Sequence, residues 1–204
     1  MERRTHMICA AALCLFVTLP LPTNATGSVC AEAVAETERA YRVPRLLLQA
    51  VSLAESGRWD AKTRRSHAWP WTVMAKGKGT FHTSRAKAIA AVRTLRAEGV
   101  RNIDVGCMQI NLMHHATAFE NLEQAFEPAI NAGYATNLIM RLRREEKSWA
   151  HAVARYHSSD WQNRGRKYWR KVYRLWNSER RRDYRDRRAE RIRRNREKIP
   201  ANVN

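Results

Sequence analysis

The side chains suited to chemistry gather in three short stretches, the first being LLQAVSLAESG from Leu47 to Gly57, which carries Glu55. Pro44 suits the first turn of a helix, where its missing N–H costs nothing, and Gly57 suits the residue just past the end. The spacing therefore predicts a helix from about Pro44 to Ser56. On it Leu47, Ala50, Val51 and Ala54 recur at i, i+3, i+4 and i+7, and Glu55 lies on the edge of that apolar stripe. A carboxylate there loses hydration and sits at the negative end of the helix dipole. Both effects raise its pKa toward that of a usable proton donor. A lone glutamate at a helix end is more often a surface residue, so the case depends on the rest of the chain.

The second stretch, VRNIDVGCMQINLMHH from Val100 to His115, centres on Gly106 to Asn111. Gly106 allows close approach to a ligand, and the amides of Gln109 and Asn111 both donate and accept, a pairing that sugars need. In the third, Ser148 caps a helix in which Trp149, Ala152, Val153 and Tyr156 share one face, so Tyr156 points inward and its hydroxyl needs a partner. His67, His82, His114, His115, His151 and His157 raise the question of a metal. No HExxH or similarly spaced ligand set exists, and neither metal nor cofactor is expected.

The elements that position these groups are mostly helical. Residues 31 to 41 read as a short amphipathic helix, and Ser84 caps another carrying Ile89, Val92 and Leu95, closed by Gly99. A further long helix starts by Pro128 and runs to the Arg143–Lys147 charge cluster, and a final one spans roughly Gly165 to Asn177, packing Tyr168, Val172 and Leu175. The one strand signal is a hairpin, with WTVM and TFH joined by a KGKG turn at Gly77 and Gly79. The fold class expected is mainly α, a single helical domain with one small β-hairpin.

The opening MERRTHMICAAALCLFVTLPLPTNATG has Arg3 and Arg4, an apolar run from Met7 to Leu19, and then Pro20 and Pro22. It reads as a secretory signal peptide over 1–27, an uncleaved anchor being the alternative. The roughly 175 residues that remain suffice for one core, and the chain is expected to be exported, to a periplasm. Cys30 and Cys107 are then the two remaining cysteines, and an oxidising compartment favours one disulfide over two free thiols. A net charge of +19 implies an anionic partner, and export argues against nucleic acid. From Glu179 to Lys198 eleven Lys or Arg stand against five acids, with Tyr184, Ala189 and Ile192 the only apolar residues. The tail 178–204 therefore reads as a solvated helix or disordered segment, too poor in apolar residues to dock, that meets an anionic surface.

The pieces AESG (Ala54 to Gly57), GCMQIN (Gly106 to Asn111) and AVARYHS (Ala152 to Ser158), in that order, resemble the soluble lytic transglycosylase domain. The likeness is closest to an exported bacterial branch with a WPWT segment, matched by Trp69 to Thr72, and covers about 30–177. The resemblance implies a lysozyme-like α+β fold and cleavage of peptidoglycan glycan strands. Glu55 matches the catalytic acid and Ser56 its polar neighbour; Met108, Gln109 and Asn111 match the segment lining the sugar groove; Tyr156 matches the tyrosine near the acid. His157 and Ser158 depart from the usual Asn followed by Ala or Gly, and Cys107 replaces a more usual Leu. Trp59, Trp69 and above all Trp71 suit stacking on sugar rings.

Glycoside cleavage ordinarily uses two carboxylates, and these motifs supply one. Asp104, just before a Gly turn, is more often a turn residue than a catalytic partner. The resemblance implies a route without a second acid, in which the substrate's N-acetyl group assists and its 6-hydroxyl then attacks, leaving a 1,6-anhydro end. Lysozyme-type hydrolysis, and a non-catalytic peptidoglycan-binding part of a secretion or flagellar assembly, are the competing readings.

Overall fold

The computed structural model describes residues 28–197; the signal sequence expected at 1–27 and the last residues of the tail, 198–204, lie outside the described residues. The helices are α1 (Ser28–Ala40), α2 (Leu47–Ser56), α3 (Arg85–Ala97), α4 (Leu122–Ala125), α5 (Pro128–Glu146), α6 (Trp149–His157) and α7 (Arg166–Glu197). A π-helical turn, Trp161–Gly165, precedes the last. The architecture is mainly helical with a smaller antiparallel β part, as expected.

The β part exceeds the single hairpin. Strands β1 (Gly57–Asp60) and β2 (Arg65–Ala68) form a two-stranded ribbon, while β3 (Thr72–Ala75), β4 (Lys78–Phe81), β5 (Ile103–Val105) and β6 (Ile110–Asn111) form a sheet in the order β4-β3-β5-β6. The hairpin read from the sequence is β3–β4. Its turn residues Lys76 and Gly77 have φ of 50° and 72°, the doubly positive turn whose twist suits paired strands.

Two apolar clusters result. Leu47, Leu48 and Val51 of α2 pack with Val34 of α1, Ile139 of α5, Val153 of α6 and Val172 of α7. Val73, Ile89, Val92, Ile103, Val105 and Phe126 fill a second cluster, between the sheet and the helices α3 and α4. The caps read from the sequence are in place at Ser84, which accepts from Lys87 N–H, and at Ser148, which accepts from His151 N–H.

Helix α2 begins at Leu47 and not at Pro44, which precedes it in a turn where Leu46 takes φ 66°. The Glu38 carboxylate at the end of α1 is the cause. It accepts the N–H groups of Leu46, Leu48 and Gln49 at 2.8, 2.6 and 3.2 Å, satisfying donors that a helix start leaves free. Gly57 ends the helix as expected, though with φ −62°, and a Cβ there would meet the Leu53 carbonyl oxygen at 2.3 Å.

Of the two readings of the tail, the solvated helix is the one observed over 178–197, continuous with the final helix. Helix α7 does not stop near Asn177; it continues to Glu197 as one element of 32 residues. The second half touches the domain through Asp183, which pairs with Arg45; about two turns earlier the Trp176 indole N–H donates to the Arg45 carbonyl at 2.8 Å. Ion pairs three and four residues apart, such as Arg182–Glu179 at 2.8 Å and Arg187–Asp183 at 2.5 Å, support a helix that apolar burial does not.

Cys30 and Cys107 form the expected disulfide, closing a loop of 77 residues. It ties α1 to the segment between β5 and β6.

Candidate active site

Eight of the ten residues of α2 are buried, and Glu55 is the one near its end that stays partly open. It lines a cleft of about 550 Å³ with Leu53, Ala54, Gly57, Ser66, Lys171 and Arg174. Its Oε1 accepts a 2.5 Å hydrogen bond from the Tyr168 hydroxyl on α7, and the neighbouring Ala54 carbonyl accepts from Lys171 Nζ at 2.5 Å. Loss of hydration raises the Glu55 carboxyl from its ordinary 4.5 to about 7 against the opposing pull of the Tyr168 hydrogen bond and the Lys171 charge; Asp104 adds a push upward. Burial and the nearby Glu55 charge hold both Tyr168 and Tyr156 well above 10, so each remains a neutral phenol. A protonated acid near neutral pH, open to a cleft and aimed by one donor, is equipped to deliver a proton to a leaving oxygen.

Behind Glu55 the segment Gly106 to Asn111 is clamped. Gly106 has φ +84°, and Asn131 of α5 is packed against it. The buried Asn131 amide accepts from Met108 N–H at 2.9 Å and donates to the carbonyls of Val105 and Ala125 at 3.1 and 3.0 Å. Tyr156 meets its need for a partner through the Met108 carbonyl at 2.6 Å, and Ser56 Oγ donates to the Cys107 carbonyl at 2.7 Å. Helix α2, α5 and α6 thus all hold one segment.

Several residues assigned to sugar contact are occupied otherwise. Met108 and Ser56 are buried, at 0 % and 1 % exposure: the first fills the core and the second struts the helix, so neither side chain faces a groove. Asn111 spends its amide hydrogens on Asn102 and Asp104 and its oxygen on the N–H groups of Met113 and His114. Gln109 donates to the Thr72 and Gly106 carbonyls at 3.1 and 2.9 Å, leaving its amide oxygen as the atom it can offer. Tyr156 makes its hydrogen bond to the backbone, while Tyr168, which the sequence reading assigned only to packing, is the tyrosine that touches the acid. The available signal was its place on the inward stripe with Val172, since a buried phenol needs a partner.

His157 is exposed and stacks on Tyr168 with ring centroids 4.3 Å apart, and burial together with Lys171 and Arg164 keeps its pKa below the usual histidine value. Trp71 is half-buried and packs edge-on against Trp69 at 5.8 Å; the Trp69 indole N–H is bound to the His82 carbonyl at 2.6 Å. Trp59, on β1, stands 62 % exposed. Asp104 sits half-buried on β5, its carboxyl raised by burial against the opposing pull of the Asn111 amide that donates to it, and that hydrogen bond ties it into the sheet as a structural acid. Among the described residues no group of three or more His, Cys, Asp or Glu is placed to hold a metal.

The clamp makes a direct prediction. A Cβ at Gly106 would lie 2.4 Å from Asn131 Nδ2, and the backbone there is left-handed, so Gly106→Ala should displace Asn131 and cost about 3 kcal/mol. Gly133→Ala, in the open on α5, should be neutral or gain about 0.5 to 1 kcal/mol. Denaturant unfolding of the pair decides it, and similar values for both would mean that the clamp yields freely.

No family model, curated protein or solved structure matches the chain.

Proposed function

We propose that this chain cleaves the β-1,4 bond between N-acetylmuramic acid and N-acetylglucosamine in peptidoglycan, as a lytic transglycosylase, with Glu55 as its acid and then its base. The observation that carries the reading is the single carboxyl in the cleft, raised to about 7 and aimed by Tyr168. Glu55 protonates the glycosidic oxygen while the substrate's N-acetyl oxygen closes on the anomeric carbon. The resulting carboxylate then takes the proton of the 6-hydroxyl as that oxygen attacks the same carbon, releasing the N-acetyl group. No water is consumed and Glu55 ends protonated. Lys171 and Arg174 give the cleft two cations, matched to a glycan whose lactyl and peptide substituents carry carboxylates. The same reading places the mature protein outside the cytoplasm, in a periplasm, consistent with its disulfide.

Mass spectrometry of products released from purified sacculi tests this. Anhydro ends are expected. Hydrated reducing ends would make the enzyme a lysozyme-type hydrolase, and no release at all would leave a binding module.

The pH profile is a second test. Cleavage requires protonated Glu55, so kcat/KM should fall about tenfold per pH unit above about 7. The Tyr168 hydrogen bond lowers the Glu55 pKa, so Tyr168→Phe should move that alkaline limb to higher pH while also loosening the acid's aim and lowering kcat. An unchanged limb would show that Tyr168 does not set the proton affinity of Glu55.

A further inference from the structure

Helix α7 sorts its charges by face. Glu179, Asp183, Asp186, Glu190 and Glu197 are spaced by four, three, four and seven residues, so they fall in one narrow stripe, the continuation of the stripe on which Tyr168, Val172 and Leu175 meet the domain. Arginines flanking that stripe are consumed by it: Arg182 on Glu179 at 2.8 Å, Arg187 on Asp183 at 2.5 Å, Arg193 on Glu190 at 2.9 Å and Arg194 on Glu190 at 3.7 Å. The opposite face differs. Arg170, Arg181, Arg185 and Arg188 are all exposed, and none has a carboxylate partner among the described residues. Interleaved with them stand Tyr173, Tyr184 and Ile192, exposed by 47 %, 62 % and 43 %. From Arg170 to Ile192 this face runs about 33 Å at the helical rise of about 1.5 Å per residue. Where the helix leaves the domain, Arg45, Arg180, Arg181, Tyr184, Arg185 and Arg187 border an open hollow of about 750 Å³; the one acid in its lining, Asp183, is paired with Arg45 and Arg187.

We propose that this face of α7 lies on an anionic phospholipid bilayer, with its free arginines on headgroup phosphates and Tyr173, Tyr184 and Ile192 in the interfacial layer. A flat surface meets one side of a helix, which fits charges sorted to one side. A duplex major groove would place phosphates on both flanks, one of them against the acidic stripe. The exposed tyrosines and isoleucine add the apolar contact of an interfacial helix. Among the described residues no helix is long and apolar enough to cross a membrane. The inference is independent of the glycan chemistry.

The test uses the full chain and vesicle co-sedimentation, with phosphatidylglycerol mixed equally into phosphatidylcholine, against phosphatidylcholine alone. Binding to the anionic vesicles is expected to dominate and to weaken with salt. Arg181→Gln/Arg185→Gln/Arg188→Gln should lower affinity about 100-fold, whereas Arg182→Gln/Arg193→Gln/Arg194→Gln, which removes the same formal charge from arginines held in ion pairs away from the hollow, should lower it by less than about fivefold. Tyr184→Ser/Ile192→Ser touches no charge or ion pair and should weaken the binding that survives at about 0.5 M salt, where screening is strong. Circular dichroism checks that each variant keeps its helix. Equal losses for the two arginine sets in helical proteins, no preference for the anionic vesicles, or tighter binding to a duplex oligonucleotide than to them would each overturn the proposal.

Discussion

Glu55→Gln is expected to abolish glycan cleavage, by at least ~10²- to 10⁴-fold, while making the protein more stable at pH 8. The amide keeps the shape and still accepts from Tyr168, but it has no proton to give. The stability change follows from the raised pKa. Between its ordinary 4.5 and about 7 the folded protein holds a proton on Glu55 that the unfolded chain has released, so stability is lost as pH rises through that window and stays lost above it. The difference corresponds to at most about 3 kcal/mol at 1.36 kcal/mol per pH unit, and partial solvent access at the cleft reduces it. Glutamine removes the ionisation. Thermal unfolding should therefore show a gain of several degrees at pH 8 and almost none at pH 4, where the glutamate is already neutral. A folded variant with near-normal cleavage would end the catalytic assignment, and equal shifts at both pH values would end the account of the raised pKa.

Removing the disulfide should have the next largest effect on the fold. Cys30→Ala/Cys107→Ala frees an unfolded chain that was closed over 77 residues, which by loop entropy costs about 4 kcal/mol. For a domain of this size that is roughly a 10 °C fall in Tm. The segment from Gly106 to Met108 should nevertheless hold its shape at low temperature, because Asn131, Tyr156 and Ser56 bind it independently. A fall of under about 2 °C would show that the bridge restrains little in the unfolded state.

What the sequence disclosed was governed by range. Helix α2, the caps at Ser84 and Ser148, the β3–β4 turn and the acid at Glu55 are written in neighbouring residues and were readable there. The start of α2 was misplaced because its cap comes from Glu38, eight residues before the first N–H that it binds. Strands such as β6, two residues long, are too short to show alternation, and they exist because the partner strand is already in place. Tyr168 lies 113 residues from the carboxyl it binds, a pairing no local pattern contains. Met108 was assigned to the groove through family likeness, although an apolar side chain between clamped neighbours has a core to fill. Composition left the second half of α7 open between a solvated helix and a disordered segment; carboxylates at helical spacing, which pair with arginines three and four residues away, favour the helix that is observed.

The bridge from Cys30 to Cys107 has a further consequence for damage. The tip between β1 and β2, residues 61–64, is fully exposed and lies inside the closed loop, as do α2, both strand pairs of the hairpins and α3. A single proteolytic nick there divides the backbone into one fragment bearing Glu55 and another bearing Tyr168, yet the two remain one covalent molecule, with α2 and α7 still packed on each other. A nicked chain should migrate as one species without reductant and as two with it, and until the bridge is opened its acid and the phenol that aims it need not part.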